Sequence, residues 1–293
     1  PADRLFNLIA AGLQKPNLAL VVHQPTLHRL FSLTAKALYR RAKNTQTRLE
    51  NVGGVPCRWM IPARDSGKTL IYLHGGGFTI GSPETHQHLA ARLADTLGAR
   101  ALLPRYRRAP AHPFPAAIND VRDAYRALLA KGTAPQDILL AGDSAGGNLA
   151  LGLLSELTAE ERPAGLFLIG PVANASETRA LPKGVRDKLL PRAWIGRAMR
   201  AYKAPADDPR SNALATALPA IPTLIHVAEG EVLAPDGQAI AEHFKASGAD
   251  VEMASYENVT HVFHLHAGWS PTADRAIADV GAWAHRTFWS NEA

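Results

Sequence analysis

Cysteine is nearly absent. The 293-residue chain has one, Cys57, and a lone thiol closes no internal disulfide, so a disulfide-stapled scaffold and a cysteine-based metal site are both excluded. No apolar run approaches the roughly 18 residues needed to cross a bilayer. The N-terminus lacks the basic–apolar–small pattern of a secretory leader, and the cytoplasm is the expected location. There is no low-complexity tract, and no repeat of about 20–50 residues. The formal net charge of +6 is modest and bears on solubility and steering more than on function. No basic stripe interleaved with aromatics is present and no DNA-binding motif, which argues against a nucleic-acid partner. What remains is an ordinary globular composition, 46% hydrophobic and 20% charged, long enough for one large or two small domains with a substantial core.

Residues 1–43 read as helices, with Leu5, Leu8, Ile9 and Leu13 and then Leu27, Leu30, Phe31, Leu33 and Leu38 as apolar faces expected to pack on the domain. Beyond about Leu49, short apolar runs alternate with amphipathic stretches. The runs are Thr69–Leu73, Ala99–Leu103, Ile138–Ala141, Leu166–Ile169, Thr223–Ala228 and Val251–Tyr256. Helical patterns lie between them at His86–Leu97, Ala116–Ala130, Gly147–Leu157, Gly237–Ser247 and Thr272–Phe288. Such alternation predicts an α/β fold around a mostly parallel sheet. The stretch Asn174–Leu218 breaks the rhythm. It has helical pieces at Val185–Leu190 and Ala193–Tyr202 but no strand, and reads as an insertion over one end of the sheet.

The most informative segment is Gly142-Asp143-Ser144-Ala145-Gly146, directly after a strand run and directly before a helix. A serine hydroxyl is a weak nucleophile until it is exposed and paired with a base. A sharp strand-to-helix turn projects Oγ from the sheet, the flanking glycines make room for the turn, and the Ala145 amide at the helix N-terminus points where an oxyanion would form. A second segment, His74-Gly75-Gly76-Gly77, also follows a strand run. Three glycines in a row suit backbone N–H groups that must approach a ligand closely. A phosphate cradle is not indicated, because neither Gly-Lys-Ser/Thr nor G-x-G-x-x-G opens a helix here. His74 is assigned a structural role in this loop.

Together the two motifs resemble those of the bacterial hormone-sensitive-lipase-like (family IV) esterases of the α/β-hydrolase superfamily. The segment Tyr106-Arg-Arg-Ala-Pro-Ala-His-Pro-Phe-Pro-Ala-Ala117 is similar to a run found in that family, with Arg108 and Ala111 departing from the usual Leu and Glu. The resemblance spans about Leu70 to Phe263. It implies an α/β-hydrolase core with a helical cap: cap helices in residues 1–45, a cap insertion in 174–218, and the catalytic core in 46–173 and 219–293. It also implies oxyanion donors at Gly76, Gly77 and Ala145, and a general base at His261, which lies just after the last strand run as the family's His-x-Phe does.

The acid is less sharply marked. In Glu229-Gly-Glu231-Val-Leu-Ala-Pro-Asp236, the register of Val-Leu against the family pattern selects Glu231, with Asp236 second and Glu229 third. Asp143 and Asp120 are read as structural, His264 and His266 as packing or surface residues, and Cys57 as without function. The pairs His264-x-His266 and His86-x-His88 lack a third ligand and give no metal site. The insertion is basic (Arg179, Lys183, Arg186, Lys188, Arg192, Arg197, Arg200 and Lys203), and this reads as a solvated face.

The reaction implied is hydrolysis of short- to medium-chain acyl esters through Ser144, His261 and Glu231, with no metal or cofactor. A small-molecule ester is the implied partner, without stable membrane insertion; a homodimer is left open. An amidase or sugar deacetylase using the same triad stays open as an alternative. A non-catalytic hydrolase-fold binding protein is disfavoured by retention of the serine, acid and histidine.

Overall fold

The computed structural model describes residues 2–40, 42 and 44–289; Arg41 and Lys43, within the stretch expected to be helical, lie outside it. Eight strands form one sheet in the order β1-β2-β4-β3-β5-β6-β7-β8. The six parallel strands are β3 (Thr69–Leu73), β4 (Arg100–Pro104), β5 (Ile138–Asp143), β6 (Gly165–Ile169), β7 (Thr223–Ala228) and β8 (Val251–Tyr256). Four of the six expected runs, those forming β3, β5, β6 and β7, are buried along their whole length, as continuous apolar runs covered on both faces should be.

The sheet also has an antiparallel hairpin, β1 (Thr45–Val52) and β2 (Val55–Pro62). Its turn is Gly53-Gly54, both at positive φ (62° and 82°), the geometry of a tight two-residue turn between antiparallel strands. The sequence did not mark β1 as a strand because Thr-Gln-Thr-Arg-Leu-Glu-Asn is mostly exposed on this outer edge.

Helices α4 (Pro83–Leu97), α5 (Ala116–Ala130), α6 (Ala145–Leu154), α8 (Ala234–Ala246) and α9 (Pro271–Thr287) cover the sheet. They seal two apolar layers, one around Ile71, Leu140 and Leu149 and the other around Leu70, Leu139 and Trp283. The right-hand crossovers of a parallel sheet bring every strand's C-terminal end to one edge. The loops after β3, β5, β6, β7 and β8 therefore meet there.

Over that edge lie α1 (Ala2–Ile9), α2 (Lys15–Leu20) and α3 (Gln24–Leu38), together with α7 (Arg192–Tyr202). A π-turn, Ala10–Gln14, joins α1 to α2. Two expectations fail in this layer. Leu5, Leu8, Leu13 and Leu33 are exposed, and the inward residues are Phe6, Ala10, Leu18, Leu27 and Ala35. Spacing groups Leu5, Leu8 and Leu13 on one face, but it does not say which face meets the domain, and here the opposite one packs inward. Val185–Leu190 is also not a helix. The Asp187 carboxylate accepts from the N–H groups of Leu189 and Leu190 (2.7 and 2.8 Å), and such a side-chain turn competes with helical hydrogen bonding.

Candidate active site

Ser144 sits between β5 and α6 with φ 53° and ψ −118°. A non-glycine residue there costs about 1–3 kcal/mol and persists only where its surroundings fix it. Here they do: the Ser144 N–H donates to the Ile169 carbonyl (2.8 Å), and its own carbonyl accepts from Asn148 and Val172 (both 3.2 Å). The turn has no room for larger neighbours. A Cβ on Gly142 would lie 2.4 Å from the Gly146 oxygen, and one on Gly146 would lie 2.0 Å from the Leu73 oxygen.

The loop after β3 is hung from the residue before the serine. Buried Asp143 accepts from the Tyr72 hydroxyl (2.8 Å) and the Gly75 N–H (3.0 Å), and His86 Nε2 lies 3.5 Å from its other oxygen. Burial pushes the Asp143 carboxyl up, but the His86 ring and the Tyr72 hydroxyl outweigh it and hold the group below the usual carboxylate range. His74 stacks on Tyr106 (4.2 Å between centroids), whose hydroxyl donates to the His74 carbonyl (2.6 Å). Burial lowers the His74 ring pKa well below its ordinary value, in keeping with a neutral, structural ring. Among the described residues, the N–H groups of Gly76, Gly77 and Ala145 have no protein acceptor, whereas that of Gly75 is taken. Gly76 and Gly77 have φ of 117° and 57°, which a residue with a side chain adopts only under strain.

His261, on the loop after β8, places Nδ1 2.6 Å from Glu231 Oε2. A carboxylate cannot donate, so Nδ1 carries the proton and Nε2 is left as an acceptor. Nε2 is buried and has no partner among the described residues. Burial alone would lower the His261 pKa, but the Glu231 carboxylate more than offsets this and raises it. Glu231 is itself buried, with Oε1 accepting from the Ala228 N–H (3.2 Å).

The other carboxylates near this loop are placed differently. Asp236 accepts from Arg179 (2.8 Å) and from the Ala173 N–H (2.8 Å), and Glu229 is exposed. Asp120 binds Arg107 and its backbone N–H.

Three supporting residues escaped the sequence reading. Gly170, at the end of β6, has φ 48°, and a Cβ on it would fall 2.8 Å from His261 Nδ1 and 3.0 Å from Glu231 Oε1. Its signal was a glycine directly after an apolar strand. Asp187 accepts from the N–H of Val232, next to Glu231 (2.8 Å), and its position inside an apparently helical pattern concealed it. Tyr72 lies inside a strand run, where nothing distinguishes it from core.

Ser144, Gly76 and His261 open on one cavity. Its walls are mostly apolar, with Leu27, Leu30 and Phe31 from α3 and Leu189, Leu190 and Trp194 from the insertion. His264 and His266 have other partners: His264 bonds His226 (3.0 Å), and His266 stacks on Phe6 (4.0 Å). Among the described residues, no group of three His, Cys, Asp or Glu could hold a metal ion. Cys57 is buried, and burial pushes its thiol up to about 12. In the basic insertion, Arg179 is paired with Asp236, Arg197 donates to the carbonyls of Leu18 and Ala19, and Arg192 donates to those of Leu181 and Pro182. These three arginines hold the layer together and are not merely solvated.

Comparison with known proteins agrees with this fold. Residues 70–265 match the model of a family described as having the alpha/beta hydrolase fold. The chain is 38% identical over 244 residues to an acetyl-hydrolase of Streptomyces hygroscopicus, covering 79% of this chain and 80% of that one. It is 34% identical to an ethyl acetate hydrolase of Pseudomonas putida, covering 77% and 76%. The crystal structure of an esterase from the bacterial hormone-sensitive lipase family superposes with a TM-score of 0.88 at 28% identity, covering 98% of each chain. The chain belongs to the hormone-sensitive-lipase-like esterases of the α/β-hydrolase family and is a carboxylic-ester hydrolase.

Proposed function

We propose that the chain hydrolyses short-chain acyl esters through a Ser144–His261–Glu231 triad and an acyl-enzyme. The observation that carries this reading is the 2.6 Å contact between His261 Nδ1 and Glu231, with the opposite ring nitrogen unpartnered beside the cavity that Ser144 lines. His261 takes the Ser144 proton as Oγ attacks the ester carbonyl. The N–H groups of Gly76, Gly77 and Ala145 receive the oxyanion, and Glu231 holds the ring and stabilises the imidazolium without taking the proton. His261 then protonates the leaving alcohol. In the second half-reaction it deprotonates the water that attacks the acyl-serine, releasing acid and free Ser144. Protein groups handle every proton and charge in this cycle.

The cap of this reading comprises residues 1–45 and 174–218, and the catalytic body 46–173 and 219–293. Both parts of the cap contribute walls to the cavity. That enclosure supports a small acyl group, as do the names of the acetyl-hydrolase and ethyl acetate hydrolase relatives. The test is hydrolysis of p-nitrophenyl acetate, butyrate, octanoate and palmitate by wild type and Ser144→Ala. Turnover that needs Ser144 and is greatest with acetate and butyrate is expected. Turnover greatest with palmitate would reject the short-chain assignment, and an active Ser144→Ala would reject the nucleophile.

A further inference from the structure

Among the described residues, six of the nine exposed large apolar side chains lie between positions 5 and 33: Leu5, Leu8, Leu13, Leu20, Val22 and Leu33. Four of them fall on one continuous helix, Ala2–Leu20, about 28 Å long at 1.5 Å per residue. The π-turn at Ala10–Gln14 inserts one extra residue. Corrected for it, Leu5, Leu8, Leu13 and Leu20 stand at i, i+3, i+7 and i+14, a single outward stripe. The same correction aligns the buried Phe6, Ala10 and Leu18 at i, i+4 and i+11, so one insertion accounts for both faces. Leu8 and Leu20 are 70% and 77% exposed, which a helix that packed its apolar face on the domain would not leave.

The exposed charge on these helices has one sign. Arg4, Arg29, Lys36 and Arg40 are exposed, and α3 presents Arg29, Leu33 and Lys36 at i, i+4 and i+7. The only carboxylate in residues 2–40 is Asp3, which is bonded to Ser270 and Thr272. Beside those partners lies Trp269, 54% exposed, with the Arg40 guanidinium 4.9 Å above its ring. Aliphatic side chains ringed by arginine and lysine, with a tryptophan at the margin, are the elements of an interfacial helix.

We propose that this outer face of α1–α3 docks the enzyme on an anionic lipid surface. A second copy fits less well, because an isologous contact would press the same cations together. The arrangement has a use. Other residues of these helices, Leu18, Leu27 and Phe31, wall the cavity that Ser144 lines, so docking would set the site's roof against the phase in which apolar esters concentrate. The proposal concerns binding and does not rest on the triad.

The chain carries its own probe. Of five tryptophans only Trp269 is exposed; Trp59, Trp194, Trp283 and Trp289 are buried. The experiment is quenching of tryptophan emission by vesicles of brominated phosphatidylcholine, with and without about one third phosphatidylglycerol, in parallel with vesicle co-sedimentation. We expect quenching and co-sedimentation with the anionic vesicles, both lost in high salt, and no quenching in Trp269→Phe. At about fivefold per basic residue, Arg29→Glu with Lys36→Glu should weaken vesicle binding at least about thirtyfold. Leu8→Ser with Leu20→Ser should weaken it about tenfold or more. All three variants should hydrolyse dissolved p-nitrophenyl acetate as wild type does, since none of these side chains lines the cavity. Absence of binding to anionic vesicles, equal binding to neutral ones, or unchanged binding by Leu8→Ser/Leu20→Ser would overturn the proposal. So would a wild-type dimer in sedimentation that Leu8→Ser/Leu20→Ser dissociates, which would assign the stripe to a second copy.

Discussion

Replacing Gly170 by alanine tests how the histidine is held. Gly170 has φ 48°, and the added Cβ would lie 2.8 Å from both Cε1 and Nδ1 of His261. Ordinary carbon contact begins near 3.5 Å, so the ring must retreat by roughly half an ångström or more. Two costs follow. Alanine in the left-handed region costs about 1–2 kcal/mol, and the overpacking adds about 1–2 kcal/mol. Retreat of the ring also stretches its 2.6 Å contact with Glu231 and moves Nε2 relative to Ser144. Misplacement on this scale costs about a hundredfold in rate when the chemistry depends on alignment. Gly170→Ala should therefore lose about 2–4 kcal/mol in urea unfolding, and kcat for p-nitrophenyl acetate should fall by about a hundredfold while KM changes little. A variant with kcat within threefold of wild type would mean that His261 is not positioned by the wall that Gly170 leaves open.

Four further outcomes are expected. Glu231→Gln should lower kcat by roughly three to four orders of magnitude, as loss of a triad acid does. Asp236→Asn should stay within a few fold in kcat but lose about 3 kcal/mol of stability, because it strips Arg179 of its buried counter-ion; the reverse pattern would exchange their roles. His261 acts as a base only when neutral. Burial lowers its pKa and Glu231 raises it more, for a net rise above 6.5, so kcat/KM should fall as pH drops, with a midpoint above 6.5. In Glu231→Gln the largest raising influence is gone, Asp187 and Asp143 being the lesser ones that stay, and the residual activity should show that midpoint at lower pH; an unmoved midpoint would assign the limb to another group. Asp187→Ala removes the acceptor of the Leu189, Leu190 and Val232 N–H groups. It should cost at least about 3 kcal/mol in urea unfolding, and a loss below 1 kcal/mol would mean that those amides find other partners.

The sheet was legible because burial on both faces forces continuous apolar runs, and Leu70–Leu73 or Leu139–Ala141 can be little else. The serine turn and the glycine loop were legible because their strained backbones demand particular residues at fixed offsets. The choice of Glu231 rested on register with a family pattern, and the structure places its carboxylate against His261 and that of Asp236 against Arg179. What was not legible depends on long-range or irregular geometry. Asp187 lies 45 positions from Val232, and no local pattern links them. The outward leucines are misassigned because spacing shows which residues share a helical face and not which face meets the domain. The hairpin strand β1 was missed because an exposed edge needs no apolar pattern at all.

Acylation of Ser144 with His261 as its base is open to direct chemical test. Diethyl p-nitrophenyl phosphate transfers its phosphoryl group only to an activated nucleophile, and the adduct is stable enough to map by peptide mass spectrometry. One adduct per chain is expected, on the peptide containing Ser144, formed at least about a hundredfold more slowly in His261→Ala and absent from Ser144→Ala. An adduct mapped to another residue, or rapid labelling that persists in His261→Ala, would contradict that expectation.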